Sequence, residues 1–323
     1  MSILDTVPVV DLVALDHDPC ARATLDAACR HWGFFHLVGH GLDPALIGAL
    51  HAQMHAFFAL PAQARRAIER TADNHWGFFD RELTKNRRDA KQIFDVGPAE
   101  RDGVLAGIEP QWPAQMPEFR RVIECWSAAL HPVAGRLLGA IAANLHEPAA
   151  PLRAAFEPHH SSFLRLNYYP PGNEPQAALG IHEHTDAGAL TLLLQDDVAG
   201  LQVRRDGGWH TVAPRRDALV INIGDIVQVW SNDRYPAPLH RVLGSAALAR
   251  YTAAYFYNPV ATLDYAPLPG ACSARDPAHY RPINWGAFRA ARAAGDYAER
   301  GEEVQVDHFR HGAQVPAVYA GAR

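Results

Sequence analysis

His184 and Asp186 stand one residue apart in the run Ile181-His182-Glu183-His184-Thr185-Asp186. On a strand side chains alternate with period 2, so this spacing predicts both on one face, with Thr185 turned away. His240, in Pro238-Leu239-His240-Arg241-Val242, offers a second imidazole further along the chain. Two imidazoles and one carboxylate on a rigid β scaffold can hold a divalent ion and leave three positions open, the arrangement that oxygen activation at Fe(II) uses. Zinc is the competing ion, but its catalytic sites commonly keep one open position. The plainer reading of His184 and Asp186 is a hydrogen-bonded pair on a strand. Arg250-Tyr251-Thr252 sets a guanidinium and a hydroxyl two residues apart, again on one strand face. A guanidinium grips a carboxylate through two parallel hydrogen bonds, so this pair suits an acidic ligand. The plainer alternative for Arg250 is a surface residue, or one paired with an acid of the protein.

Residues spaced in this way need strands to carry them. Short β-rich runs cover 163–169, 179–184, 189–195, 201–204, 209–212, 218–223, 226–230, 240–242 and 251–257. Turn residues such as Pro171-Gly172, Gly207-Gly208 and Asn232-Asp233 separate them. Many short strands of this kind predict a sandwich or jelly roll. Helical patterns come earlier. Asp43-Pro44 has the N-cap and first-turn residues of a helix whose apolar positions include Leu46, Leu50, Met54 and Phe57. A longer apolar stripe from Phe119 to Leu145 contains Pro132, which should kink or break that helix. The proline-rich stretch 103–117 reads as a loop, and 285–298 as a C-terminal helix.

Bulk properties narrow the function classes. The 323 residues can bury a sizeable core, and 48% hydrophobic with 20% charged residues is ordinary for a globular protein. A net charge of −5 gives no electrostatic footprint for nucleic acid or an anionic membrane surface. The four cysteines, Cys20, Cys29, Cys125 and Cys272, form no CxxC pair and read as reduced thiols of a cytoplasmic protein. No apolar run reaches the roughly 18 residues that a membrane helix needs. With 18 histidines in the chain, most cannot be metal ligands.

Taken together with their flanking words, the motifs carry a resemblance. Those words are Asn167-Tyr168-Tyr169-Pro170-Pro171, LTLLLQD from Leu190, LVINIGDIVQVW from Leu219 and YFYNP from Tyr255, with VPVVDL from Val7 and HWGFF from His31 near the N-terminus. His184-x-Asp186, His240 and Arg250-x-Thr252 in this setting resemble the Fe(II)/2-oxoglutarate-dependent dioxygenases, in the isopenicillin N synthase-like branch. The likeness extends in order through most of the chain to Pro259. An isolated HxD is weak, but the ordered set is specific.

The resemblance implies a mixed α/β, mainly β fold, with a double-stranded β-helix (jelly roll) core flanked by N-terminal and C-terminal helices. It implies an N-terminal region 1–115, connecting helices 116–158, an oxygenase core 159–262 and a tail 263–323 packed on that core. His184, Asp186 and His240 would bind Fe(II), and Arg250, Thr252, Tyr169 and Asn167 would bind 2-oxoglutarate, with O2 as the third reactant. Thr252 departs from the family's usual Ser but keeps the hydroxyl. His182 is not at a ligand position of the family; period 2 sets it beside His184, as a residue supporting the site or touching substrate. In the segment 74–97, which covers the active site in the family, Phe78 and Phe94 are candidate substrate contacts, and packing beneath a loop is the plain alternative. Phe256 is a further candidate contact. Tyr168 reads as core, and Asn222 as a tie between strands rather than a cosubstrate contact. The implied activity is oxidation of an unactivated C–H of a small molecule, by hydroxylation, desaturation or ring closure, with release of succinate and CO2. Two alternatives stand beside it. One is an oxidase of the same branch that uses no 2-oxoglutarate and binds its own substrate's carboxylate with Arg250. The other is a catalytically silent jelly-roll binding protein, against which the intact triad counts. A monomer suffices for any of these.

Overall fold

In the computed structural model, residues 6–71, 73–99, 107–172, 179–295 and 302–320 are described. The strands that matter are β1 (Val9–Asp11), β2 (Phe34–Val38), β3 (Gly77–Phe79), β4 (Gln92–Val96), β5 (Phe163–Tyr169) and β6 (Leu179–His184). They continue with β7 (Leu190–Gln195), β8 (Leu201–Arg205), β9 (Gly208–Thr211), β10 (Leu219–Ile223), β11 (His240–Leu243) and β12 (Arg250–Tyr257). Among the described residues, eight of them form one sheet in the order β1-β2-β10-β7-β12-β5-β4-β3, and four form a second in the order β9-β8-β11-β6. All neighbours pair antiparallel except β1 with β2. The two sheets face each other as a jelly roll, in a mixed α/β, mainly β chain.

Period-2 alternation gives the large sheet two different faces. Leu190, Leu192 and Leu194 of β7, Leu219, Ile221 and Ile223 of β10, and Ala253, Tyr255 and Tyr257 of β12 belong to the main apolar core. That core is closed by the helices Pro19–His31, Pro44–Phe58 and Pro117–Asn144. The intervening residues Thr191, Asn222, Arg250 and Thr252 face the second sheet and a cavity between the two. A smaller apolar cluster, with Phe34, Val220, Val203 and Val242, joins the sheets beside that cavity. Each strand therefore serves the stabilising core and the functional face at once.

The expected helix at Asp43-Pro44 forms as Pro44–Phe58, with the Asp43 carboxylate accepting from the Ala45 amide at 2.8 Å. Pro132 does not break its helix: Pro117–Asn144 runs through it. A mid-helix proline costs about 3 kcal/mol. Burial of Phe119, Val122, Trp126, Leu130, Leu137 and Ile141 along the same helix offsets that cost. The run 226–230 is not a strand but part of the helix Asp225–Trp230. A short buried apolar run has no periodicity to distinguish the two, and Gly224 ends the preceding ladder. The C-terminal helix is Trp285–Ala294. Its expected extension over 296–298 lies outside the described residues, as do 103–106 of the expected loop. No described helix is long and apolar enough to cross a membrane.

Two measurements check this packing. Phe94 on β4 is fully buried against Phe57, Phe119 and Trp112. Phe94→Ala should cost about 3–5 kcal/mol in denaturant unfolding and leave 2-oxoglutarate affinity unchanged; the reverse pattern would place Phe94 at the cavity. His36 on β2 is 4% exposed, and burial, then Arg215 nearby, push its imidazole down to about 4. Between that value and about 6.5 the unfolded chain binds the extra proton, so stability falls as pH drops through this window, by up to about 3 kcal/mol. In His36→Gln that part of the pH profile should flatten; an unchanged slope would contradict the assignment.

Candidate active site

The cavity between the sheets has a volume of about 470 Å³, within the range of small-molecule sites. His184 ends β6, and His240 opens β11 directly opposite it in the ladder. Asp186 lies beyond the end of the strand, so alternation alone does not set it beside His184. The turn that carries it is clamped on the start of the helix Asp225–Trp230. The Asp225 amide donates to the Asp186 carbonyl at 2.8 Å and the Ile226 amide to the Gly188 carbonyl at 3.1 Å. Gly224 is required there, because a Cβ would stand 2.1 Å from the Gly188 carbonyl oxygen.

The donor atoms of His184, Asp186 and His240 all lie within 4.8 Å of one another. The Asp186 Oδ1 is 3.5 Å from His184 Nε2 and 3.6 Å from His240 Nε2. Its Oδ2 accepts from Asn222 Nδ2 at 2.8 Å and from the Thr191 hydroxyl. Both imidazoles spend Nδ1 on a backbone carbonyl, His184 on His182 at 2.8 Å and His240 on Pro238 at 3.1 Å. A carbonyl only accepts, so each Nδ1 carries a proton, and Nε2 is the ring atom that each imidazole presents on the side of Asp186. Burial, then repulsion from His184, lowers His240 to about 4, which keeps it neutral at physiological pH. Burial alone would raise the Asp186 carboxyl, but His240, His184 and Asn222 hold it well below the usual carboxylate range. Two imidazoles that present Nε2 and an ionised carboxylate with one free oxygen fit a divalent cation, and Fe(II) fits this donor set.

Arg250, at the start of β12, is 2% exposed. Its Nε donates to the Val198 carbonyl at 3.0 Å and one terminal nitrogen to Gln195 Oε1 at 2.8 Å. Burial lowers its guanidinium against the opposing pull of Tyr169 and Asp196, and among the described residues no carboxylate is in ion-pair contact with it where it faces the cavity. Its guanidinium lies 5.1 Å from the centre of the Tyr169 ring. Burial raises the Tyr169 hydroxyl against the opposing pull of Arg250 and Lys91, so it is a neutral phenol. Asn167 donates to the Thr252 hydroxyl at 3.2 Å, and Asn167 Oδ1 and Gln195 Nε2 are buried without hydrogen-bond partners among the described residues. Thus Arg250, Thr252, Tyr169 and Asn167 meet in one polar corner that fits a dicarboxylate such as 2-oxoglutarate.

The remaining candidates divide. Phe256 stands on the cavity wall, stacked on Phe163 at 4.7 Å. Phe78 and Phe94 do not: alternation along β3 and β4 turns both into the main core, while Asp95 next to Phe94 takes the cavity side. His182 also leaves the face of His184. Opposite β11, Val242 pairs with Ile181 and His240 with His184, so three steps on β6 match two on β11. This bulge breaks the period, and the His182 ring turns to Asp89 at 3.0 Å. Thr185, expected to turn away, lines the cavity. Tyr168 packs on the core side as expected, stacked on Phe58 at 5.3 Å. Asn222, expected as a tie between strands, links β10 to the turn after β6 by donating its amide to Asp186 at 2.8 Å.

Sequence reasoning missed an ion network in the cavity wall. Arg165 donates to Glu82 at 2.8 Å and to Asp95 at 2.7 Å, Arg70 to Asp95 at 2.9 Å, and Lys91 contacts Glu82 at 2.5 Å. Burial would raise Glu82, but Arg165, Lys91 and Arg70 hold it well below its ordinary value. One signal was available: Arg165 sits at period 2 from Asn167 and Tyr169 on β5, which puts it on the same face.

Comparison with known proteins agrees with this geometry. Residues 160–259 match the model of the 2OG-Fe(II) oxygenase superfamily, and residues 7–118 that of the non-haem dioxygenase in morphine synthesis N-terminal region. Jasmonate-induced oxygenase 2 of Arabidopsis thaliana is 32% identical over 297 residues, covering 88% of this chain and 78% of that protein. Oxoglutarate-dependent flavonoid 7-O-demethylase 1 of Ocimum basilicum is 33% identical over 286 residues, covering 87% and 76%. The crystal structure of JOX2 in complex with 2OG, Fe and JA superposes with a TM-score of 0.79 at 29% identity, covering 98% of this chain and 89% of that one. The dioxygenase for auxin oxidation in rice has the same fold, at a TM-score of 0.73 and 25% identity, over 94% of this chain and 99% of that one. By these likenesses the chain belongs to the 2OG-Fe(II) oxygenase superfamily and is an Fe(II)/2-oxoglutarate-dependent dioxygenase.

Proposed function

We propose that His184, Asp186 and His240 hold the Fe(II) of this dioxygenase, that Arg250 with Thr252 and Tyr169 grips the far carboxylate of 2-oxoglutarate, and that Asn167 lies alongside. The observation that carries the reading is the pair of opposite buried charges in one cavity, Asp186 at 8% exposure and Arg250 at 2%, neither in an ion pair with a Lys, Arg, Asp or Glu side chain among the described residues. A buried charge without a partner is costly, and a metal ion at one end with a carboxylate at the other relieves both. When bound, iron and 2-oxoglutarate supply an oxidant for a C–H bond, with succinate and CO2 released. The chain's own part is placement. Nδ1 contacts aim both imidazoles, Asn222 and Thr191 occupy the second oxygen of Asp186, and apolar residues joining the sheets line the cavity beside them.

The substrate is a small organic molecule seated between the metal corner and the aromatic wall of Trp76, Phe163 and Phe256. Relatives named for flavanone and gibberellin oxidation support that class. Hydroxylation is the primary outcome, with desaturation or ring closure as variants. A net charge of −5 offers nucleic acid no attractive surface, and four free cysteines suit a cytoplasmic setting.

Turnover should give one succinate per productive O2; substrate oxidation without 2-oxoglutarate and without succinate would reassign Arg250 to a substrate carboxylate. His184→Ala, Asp186→Ala and His240→Ala should each abolish turnover and weaken Fe(II) binding in a folded protein. Wild-type activity in His240→Ala would remove it from the ligand set. Arg250→Ala should raise the apparent constant for 2-oxoglutarate by some tens- to thousands-fold, the equivalent of about 2–5 kcal/mol. Arg250→Lys should recover part of this, because a point charge does not reproduce the planar fork. A raised constant for iron with 2-oxoglutarate binding intact would contradict the assignment.

A further inference from the structure

β6 is the terminal strand of the four-stranded sheet, so its outer edge exposes backbone groups that β11 does not pair. The N-terminal part of the chain covers that edge. Leu83–Thr84 pairs with Arg87–Arg88 in a short hairpin, after which the Ala90 amide donates to the Leu179 carbonyl at 3.2 Å. Between them sits Asp89, with its side chain fully buried. Its Oδ1 accepts from the His182 amide at 3.1 Å and from the His182 ring at 3.0 Å. Its Oδ2 accepts from the Thr84 hydroxyl at 2.7 Å and lies 3.2 Å from Lys91 Nζ, which ties it to the ion network of the cavity wall.

His182 lies inside the bulge between the Ile181 and His184 pairings, where the ladder to β11 does not fix the backbone. Its carbonyl nevertheless accepts the Nδ1 proton of His184 at 2.8 Å and so sets the direction of Nε2. A bulged residue free to move would let that imidazole swing. We propose that Asp89 is a positioning residue for the metal site: by holding the His182 amide it fixes the bulge, and through the His182 carbonyl it fixes the orientation of His184. This rests on the reading of His184 as a metal ligand. The link is made by backbone, so the His182 ring is secondary to it.

The test is titration of the metal-free full-length protein with Mn(II) alone, with the absorption of the Co(II)-substituted protein as a report on ligand geometry. Partners of metal-bound histidines are typically worth about 10- to 100-fold in metal affinity, and Asp89→Ala should fall in that range with an altered Co(II) spectrum. Asp89→Glu keeps the charge but moves the oxygens by one methylene; it should fold, weaken Mn(II) and change the spectrum in the same sense. His182→Ala keeps both backbone groups and should bind Mn(II) close to wild type. Should Asp89→Ala fail to fold, Asp89→Glu decides. Wild-type affinity and spectrum in the folded Asp89 variants would overturn the proposal, as would His182→Ala losing as much affinity as they do. His240→Ala in the same titration tests the underlying reading. Mn(II) retained there overturns the ligand set itself, whereas its loss beside unaffected Asp89 variants overturns the positioning role alone.

Discussion

An ionised carboxylate buried between two imidazoles is the constraint on which this site depends. Asp186 is 8% exposed, and a charge at that depth is tolerated only where hydrogen bonds and opposite charge surround it. Asn222 and Thr191 serve one of its oxygens, and the other is left towards His184 and His240. The turn that carries Asp186 is held by the helix Asp225–Trp230, whose start needs Gly224 for the close approach. The same demand reaches the strands, because His184 and His240 must face each other across β6 and β11 for the pocket to close.

The large sheet answers a second demand, that one set of strands serve an apolar core and a charged cavity together. Leu190, Leu192 and Leu194 pack against the helices while Thr191 and Gln195 look the other way; β10 and β12 divide alike. This division lets Arg250 be nearly inaccessible yet open to a ligand, since the strand bearing it is anchored by Tyr251, Ala253 and Tyr255 on the opposite face. Buried ion pairs such as Arg165 with Glu82 and Asp95 add little net stability but fix the shape of the wall, since breaking one leaves a buried charge unpaired.

Local chemistry made the proposed ligand set legible. His184-x-Asp186, His240 and Arg250-x-Thr252 are short patterns whose spacing carries their meaning, and the structure brings all five residues to one cavity. What escaped depended on contacts distant in the chain. Phe78 and Phe94 were attractive as aromatic cover, yet the pairing of β3 with β4 and of β4 with β5 decided which side each faced. His182 was placed by a period that the bulge interrupts, and a bulge is a property of two strands rather than one. Pro132 argued for a break that tertiary packing overrode, and the run 226–230 was apolar enough to be strand or helix. Asn222 shows the same limit from the other side, since its alternation on β10 was readable but its partner, Asp186, was not.

The central claim is that one cavity holds a metal at His184, Asp186 and His240 and a carboxylate at Arg250. A crystal structure of the protein grown without oxygen and soaked with Mn(II) and 2-oxoglutarate tests it most directly. The account requires one metal ion bonded to His184 Nε2, Asp186 Oδ1 and His240 Nε2, with the far carboxylate of 2-oxoglutarate paired to the Arg250 guanidinium and near the Thr252 hydroxyl. A metal ion bound elsewhere, or a 2-oxoglutarate whose far carboxylate does not meet Arg250, would contradict it.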